Sequence, residues 1–115
     1  HLRNRRQRQM CIRDRVRRIL DDGAYVAWVG YMRPMEDADE YADCGGEVDL
    51  LRERLQRLDD SEPSMVFVDG ALIGTGVEEH LYDPDGYHPS PEGCAALGEE
   101  VAQRIDDAFG LSVLG

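Results

Sequence analysis

Two short apolar runs constrain the fold more than any other feature of this sequence. Ala24–Tyr31 ("AYVAWVGY") and Ser64–Val68 ("SMVFV") are rich in Val and aromatic residues and contain no charged side chain. Such runs are typical of strands buried on both faces. Between them, Glu47–Asp59 has apolar residues at helical spacing, at positions 48, 51, 55 and 58. A strand, a helix and a second strand in this order predict two parallel strands joined by a right-handed crossover, and hence an α/β fold.

Two further helices are predicted outside this unit. Val16–Asp22 has the pattern of the end of a helix, with Gly23 as its stop. Pro91–Phe109 has the pattern of a closing helix, with Ser90 as its N-cap and proline at its first position. The residues of this helix expected to face the core are Leu97, Val101, Ile105 and Ala108. A chain of 115 residues has room for one small domain.

Charge is unevenly distributed along the chain. Residues 1–15 carry six Arg and one Asp, which gives +5, whereas residues 16–115 carry seven Arg and 23 acidic residues, which gives −16. A basic arm on an acidic body ordinarily indicates that the arm binds nucleic acid. We expect no nucleic-acid partner here, because the basic segment has a different explanation.

The basic run Arg5–Asp14, "RRQRQMCIRD", resembles a translated sequencing adapter. Read in one frame, a widely used transposon-end adapter encodes the same ten residues. Segments of this origin are left out of fold reasoning. We therefore expect residues 1–15 to be non-native and to contribute nothing to the fold. Residues 16–115 are then expected to be the C-terminal part of one domain whose upstream part is missing.

Cysteine content and hydropathy argue against a disulfide-rich protein, a cysteine metal site and a membrane-spanning helix. Cys44 and Cys94 remain once residues 1–15 are set aside, and two cysteines predict neither a disulfide framework nor a metal cluster. Cys94 lies on the apolar side of the predicted closing helix and is expected to be buried. No run approaches the roughly 18 apolar residues that a membrane-spanning helix needs. Compartment and oligomeric state are not indicated by the sequence.

Three patterns that would indicate a metal or phosphate site fail on their spacing. A calcium loop counted from Asp83 would place His88 where glycine is required. His80, His88 and Cys94 are irregularly spaced and include no paired zinc-ligand motif. Gly74-Thr-Gly76 lacks a third glycine and follows no strand-to-helix turn. We therefore predict no metal and no cofactor.

One pair of ionisable residues remains, in the proline-bracketed segment "YDPDGYHPSPEG" at residues 82–93. Asp85 and His88 lie three residues apart in a stretch of turn-forming residues just before the closing helix. An Asp that accepts from one imidazole nitrogen fixes the tautomer, which leaves the other nitrogen able to take a proton from a serine hydroxyl. On spacing alone, a surface histidine beside a helix cap is the commoner explanation of the pair.

The segment "DPDGYHPSPEGCAALGEEVAQRI" resembles the last motif block of the SGNH, or GDSL-type, serine hydrolases. In that family an Asp-x-x-His is followed by proline, a small or polar residue, a glycine and the closing helix. Asp85, His88, Pro89 and Gly93 match these places. The resemblance implies a three-layer α/β/α sandwich with a parallel sheet, of which residues 16–110 would form the final third.

The resemblance also implies a reaction. His88 would be the general base and Asp85 its orienting partner in the hydrolysis of an ester or thioester through an acyl-enzyme. The substrate would be a small-molecule ester or an acylated carbohydrate or lipid. The family's nucleophile lies in a Gly-Asp-Ser block after the first strand, and this sequence has no such block. The chain as given is therefore expected to be inactive by itself.

Two other classes of function stay open. The chain would fit a non-catalytic relative that binds a ligand or a partner, with Asp85 and His88 kept for structure. It would also fit a flavodoxin-like or other doubly wound domain whose loop binds a ligand. A Gly-Asp-Ser block in the upstream reading frame would distinguish the hydrolase from both.

Overall fold

The computed structural model describes residues 2–38 and 45–111, and the side chains of 12–38 and 46–111. Three long helices and two strands alternate, in the order helix, strand, helix, strand, helix. The elements are α1 (Leu2–Asp21), β1 (Val26–Val29), α2 (Gly45–Ser61), β2 (Met65–Val68) and α3 (Pro91–Phe109). Two 3₁₀ turns, Gly70–Leu72 and Glu79–Leu81, lie between β2 and α3.

The two strands pair in parallel, as their order with a helix between them predicts. Val26 is opposite Met65, and Val29 is opposite Val68. The α/β class is confirmed at this coarse level, because helices alternate with a two-stranded parallel sheet. Within residues 2–38 and 45–111, no helix combines the length and the apolarity that crossing a bilayer requires.

The core lies between the sheet and the first two helices. Five buried side chains form one cluster: Val16 of α1, Val26 of β1, Leu55 of α2, and Met65 and Phe67 of β2. Leu51 and Leu58, on the same face of α2 as Leu55, are partly buried against it. These contacts confirm the apolar face predicted from the helical spacing, and burial of this face is what stabilises α2.

The N-terminal helix is longer than the sequence pattern predicts, since α1 begins at Leu2 and not near Val16. Ile12, inside the adapter-like run, is partly buried against the core cluster. The expectation that residues 1–15 contribute nothing to the fold is therefore wrong at Ile12. Helical propagation from the turn near Val16 explains the extension, since each added residue needs only one more backbone hydrogen bond.

Helix α3 begins and ends where local chemistry predicts. The Ser90 hydroxyl accepts a hydrogen bond from the Gly93 N–H at 3.1 Å, and Pro91 occupies the first turn. Gly110 ends the helix in the left-handed conformation, with its N–H donating to the Asp106 carbonyl. Two expectations on this helix are wrong: Cys94 is exposed and not buried, and Ala108 is exposed while Ala102 is buried.

The two edges of the sheet differ. Along β2, the Phe67 N–H donates to the Asp59 carboxylate at 2.8 Å, and the Phe67 carbonyl accepts from Arg104 at 3.5 Å. Along β1, the outward backbone groups of Ala27 and Val29 have no partner among the described residues. Val29 is also 44% exposed, so β1 is not buried on both faces as its composition predicts. Among the described residues, the β1 edge is therefore the one left open to another strand.

We expect Ile12→Ala to lower the free energy of unfolding by about 1 kcal/mol, because it removes half-buried apolar surface from the core. A loss of this size lowers the midpoint of thermal unfolding by roughly 4–8 °C in a domain of this size. Removing residues 1–8, which are polar and basic, should leave the midpoint unchanged. Differential scanning calorimetry on both variants, with Arg13→Ala as the exposed neighbour, checks this. An unchanged midpoint in Ile12→Ala would mean that the packing of Ile12 does not stabilise the fold.

The open β1 edge should make the chain self-associate, because an unprotected strand pairs with other strands. Val29→Lys should reduce the associated fraction, since a lysine on an edge strand opposes pairing. Val77→Lys is the matched control, because it adds the same charge at an exposed loop valine. Sedimentation velocity at physiological ionic strength measures both. Equal association of the two variants would place the contact elsewhere on the surface.

Candidate functional site

A tight hairpin presents the candidate pair. Tyr82 and Pro89 form an antiparallel bridge, and the Asp83 N–H donates to the His88 carbonyl at 2.8 Å. Inside it, the Gly86 N–H donates to the Asp83 carbonyl at 2.9 Å and closes a turn with proline at its second position. Gly86 has φ +71°, which a residue with a Cβ rarely adopts. The run of turn-forming residues thus folds as its composition predicts.

Asp85 and His88 are in direct contact. The His88 Nδ1 lies 2.5 Å from Asp85 Oδ2. The other carboxylate oxygen, Oδ1, accepts the backbone N–H groups of Tyr87 at 2.8 Å and His88 at 2.9 Å. An ionised carboxylate can only accept, so Nδ1 carries the proton in this contact. The structure brings together the two residues named from the sequence, and it is Asp85, not Asp83, that contacts the ring.

The same three hydrogen bonds lower the pKa of Asp85. Its carboxyl has a pKa of about 2 instead of 3.8, mainly because of the bond to the His88 side chain and then because of the two backbone N–H donors. Hydrogen bonds to the ionised form favour that form. Asp85 is therefore a carboxylate throughout the physiological pH range, as an orienting partner of an imidazole must be.

The second nitrogen of His88 is open to solvent. The His88 side chain is 61% exposed, and Nε2 has no hydrogen-bond partner within the described part of the chain. The Ser90 hydroxyl does not bond to the His88 ring. It donates to the His80 carbonyl at 2.7 Å and accepts from the Gly93 N–H as the N-cap of α3. A nitrogen that is fixed in tautomer and free of partners can accept a proton from a group brought to it.

The hairpin is attached to the segment that follows β1. The Met35 N–H donates to the Gly86 carbonyl at 2.9 Å. A Cβ on Gly86 would lie only 2.9 Å from the Cβ of Ala38, so glycine allows this close approach. The pair therefore lies beside the loop that leaves the carboxyl end of β1, where ligand sites of open α/β sheets are found.

Tyr82 fixes this arrangement and was not singled out by the sequence pattern. Its buried hydroxyl donates to the Arg33 carbonyl at 2.5 Å and accepts from the Gly76 N–H at 3.0 Å. The Arg33 N–H in turn donates to the Gly74 carbonyl at 2.9 Å. Burial is the main cause that raises the pKa of Tyr82, so the hydroxyl keeps its proton and stays a donor. The sequence feature closest to a signal for this role is the position of Tyr82 just before the turn-forming residues.

Gly93, the last residue of the family-like motif, has a packing role. A Cβ at this position would collide with the carbonyl oxygen of Leu81. The first turn of α3 therefore packs directly on the backbone that leads into the hairpin. The Ser90 N–H also donates to the Leu81 carbonyl, at 2.9 Å. The motif glycine thus sets the distance between the hairpin and the helix.

A separate groove of about 660 Å³ lies beside the carboxyl end of β2. Asp69 follows that strand and is held by Arg52, whose Nε and Nη2 atoms lie 2.8–3.0 Å from its carboxylate oxygens. Asp49 contacts both Arg52 and Arg33. The groove is lined by Gly46, Asp49, Leu50, Arg52, Glu53, Gln56, Phe67 and Asp69. Arg52 is neutralised by two carboxylates, so the residues described around the groove offer no free cation to an anionic ligand.

In residues 2–38 and 45–111, no three His, Cys, Asp or Glu side chains are grouped so as to hold a metal ion. Cys44 lies outside the described residues.

Comparison of the chain with protein-family models, with curated proteins and with solved structures gives no match.

We expect the pKa of the Asp85 carboxyl to rise from about 2 towards 3.8 in His88→Ala, because the largest cause of its depression is removed. The rise should be partial, since both backbone N–H donors remain. The stabilisation of the hairpin by the Asp85 carboxylate is fully present above pH 3.8 and is lost as the pH falls towards 2.

Carbon-detected NMR titration of the Asp85 carboxyl measures this, with His80→Ala as the control that leaves the contact intact. An Asp85 pKa that is the same in His88→Ala and in the wild-type chain would show that the imidazole does not contact the carboxylate in solution.

Proposed function

We propose that this chain supplies the Asp–His half of the catalytic triad of an SGNH, or GDSL-type, serine hydrolase. The observation that carries the proposal is the contact between Asp85 Oδ2 and His88 Nδ1 at 2.5 Å, with Nε2 left exposed and unpartnered among the described residues. The motif that includes Pro89 and Gly93 supports it. In this proposal the nucleophilic serine lies in a segment that the given sequence does not contain.

The chemistry follows from the two nitrogens of His88. Nε2 takes the proton of the serine hydroxyl as its oxygen forms a bond to the carbonyl carbon of the ester. The imidazolium that results is stabilised by the Asp85 carboxylate, which stays ionised. Nε2 then returns the proton to the leaving alcohol or thiol, and an acyl-enzyme remains. Water hydrolyses the acyl-enzyme with the same nitrogen as base.

The proposal also includes a larger sheet than the two strands described above. We place the two strands in the larger parallel sheet of a three-layer α/β/α sandwich, with further strands added at the open β1 edge. The unpaired backbone of Ala27 and Val29 supports this, whereas Asp59 and Arg104 block the other edge. The substrate class is a small-molecule ester or an acylated carbohydrate or lipid, and neither nucleic acid nor a membrane span is part of the proposal.

A purely structural role of the pair is the competing explanation, and one observation favours it. Asp85 Oδ1 accepts two backbone N–H groups and so stabilises the turn without any catalysis. In that case the chain would be a non-catalytic ligand-binding or interaction domain. Asp85→Asn distinguishes the two explanations. The amide oxygen still accepts the backbone N–H groups and so keeps the turn, but the substitution removes the carboxylate that orients His88.

The test uses the longer polypeptide that contains both this chain and a Gly-Asp-Ser block. There His88→Ala should lower kcat for short-chain aryl esters by several orders of magnitude, because no other group accepts the serine proton. Asp85→Asn should also lower kcat by about three to four orders of magnitude, through the wrong tautomer, while thermal stability falls little. His80→Ala is the matched control and should keep full activity. Hydrolysis rates and labelling by a serine-directed phosphonate measure these effects.

The 115-residue chain alone should hydrolyse the same esters no faster in the wild type than in His88→Ala. A base without a positioned nucleophile and oxyanion donors supplies little rate enhancement. Full activity of the longer polypeptide in the His88→Ala variant would overturn the proposal. Full activity of Asp85→Asn would leave Asp85 with a structural role only and would reject it as the orienting partner of His88.

A further inference from the structure

The peptide bond between Asp83 and Pro84 leads into the turn of the hairpin. It is the only Asp–Pro bond in the sequence, and both residues are exposed. The Asp83 N–H donates to the His88 carbonyl at 2.8 Å, and the Asp83 carbonyl accepts the Gly86 N–H at 2.9 Å. The Asp83 carboxyl makes no hydrogen bond or ion pair within the described part of the chain. The hairpin therefore fixes the backbone of Asp83 and leaves its side chain free.

Three features make this bond easier to break than an ordinary peptide bond. The carboxyl of Asp83 lies two carbons from its own backbone carbonyl carbon, so its attack on that carbon closes a five-membered ring. The leaving nitrogen of Pro84 belongs to a tertiary amide, which is more basic than a secondary amide and takes up a proton more readily. The Gly86 N–H points at the oxygen of the attacked carbonyl, and a fixed donor there stabilises the negative charge that develops on it.

We propose that the chain cleaves its own backbone between Asp83 and Pro84. A carboxylate oxygen of Asp83 bonds to the Asp83 carbonyl carbon, the bond from that carbon to the Pro84 nitrogen breaks, and the nitrogen takes a proton from solvent. One water molecule then opens the cyclic anhydride left on Asp83. The products are a chain that ends in Asp83 and a chain that begins with Pro84. This reaction is independent of the proposed hydrolase function.

The neighbouring Asp85 does not compete for this role. Its carboxylate is bonded to two backbone N–H groups and to the His88 ring, and the residue after it is glycine and not proline. The cut would separate Tyr82, whose buried hydroxyl anchors the hairpin, from the turn that carries Asp85 and His88. Self-cleavage would therefore release the candidate pair from the group that positions it.

Incubation of the full 115-residue chain in mildly acidic buffer tests the proposal. Mass spectrometry under denaturing conditions should find residues 1–83 and 84–115 as two fragments whose masses sum to that of the chain plus one water. Circular dichroism checks that the chain stays folded during the incubation. The folded chain should cleave about three- to tenfold faster than the same chain unfolded in urea at the same pH, because unfolding removes the Gly86 N–H from the Asp83 carbonyl.

Variants at position 83 identify the nucleophile. Asp83→Ala should abolish the cut, and Asp83→Glu should slow it by about tenfold or more, because glutamate keeps the charge but must close a six-membered ring. Asp106→Ala is the matched control, because it removes an exposed carboxyl from α3 and should cleave at the wild-type rate.

Equal cleavage rates in Asp83→Glu and in the wild-type chain would overturn the proposal. So would an intact chain, a cut at another bond, or a folded chain that cleaves no faster than the chain in urea. None of these outcomes bears on the esterase activity of the longer polypeptide, so the two proposals fail separately.

Discussion

The hydroxyl of Tyr82 is the contact on which the geometry of the candidate site depends. It donates to the Arg33 carbonyl and accepts from the Gly76 N–H, so one buried group joins the loop after β1, the loop after β2 and the start of the hairpin. A buried hydroxyl that satisfies two backbone groups is costly to remove, because both groups would then lose their partner away from water. The hairpin that carries Asp85 and His88 is therefore positioned by the sheet, although it contains no strand of the sheet.

Within the hairpin, the Asp85 carboxylate both stabilises the turn and orients the His88 ring. Asp85 Oδ1 accepts two backbone N–H groups, and Oδ2 contacts the His88 ring. Each of these bonds lowers the pKa of the Asp85 carboxyl, so the group stays ionised. The ionised carboxylate accepts the proton on Nδ1 of His88 in a hydrogen bond and thereby fixes the imidazole tautomer. Because the folding of the turn and the orientation of the ring use different oxygens, the two roles can be separated by replacing the acid with its amide.

The parts of the structure that were predictable from the sequence are those fixed by local chemistry. The bounds of α3 follow from Ser90, Pro91 and Gly110, and the contact of Asp85 with His88 spans only three residues. Tyr82 pairs with Arg33 across 49 positions, which no local pattern specifies. Cys94 and Ala108 were assigned to the core from helical spacing alone, whereas only tertiary packing decides which side of α3 is covered. Ile12 was set aside because its segment resembles a translated adapter, yet an isoleucine one turn before Val16 packs on the core.

The asymmetry of the sheet connects the fold to the proposed reaction. Asp59 and Arg104 occupy the backbone of Phe67, so β2 is closed as an edge, and any further strand must add beside β1. The carboxyl ends of parallel strands lie on one side of a sheet, so a strand added in parallel beside β1 would end near Tyr31 and the hairpin. In the proposed hydrolase, a nucleophile in the loop after such a strand would have to reach Nε2 of His88. In the proposed architecture, one further strand beside β1 would account both for the open edge and for a His88 Nε2 that has no partner among the described residues.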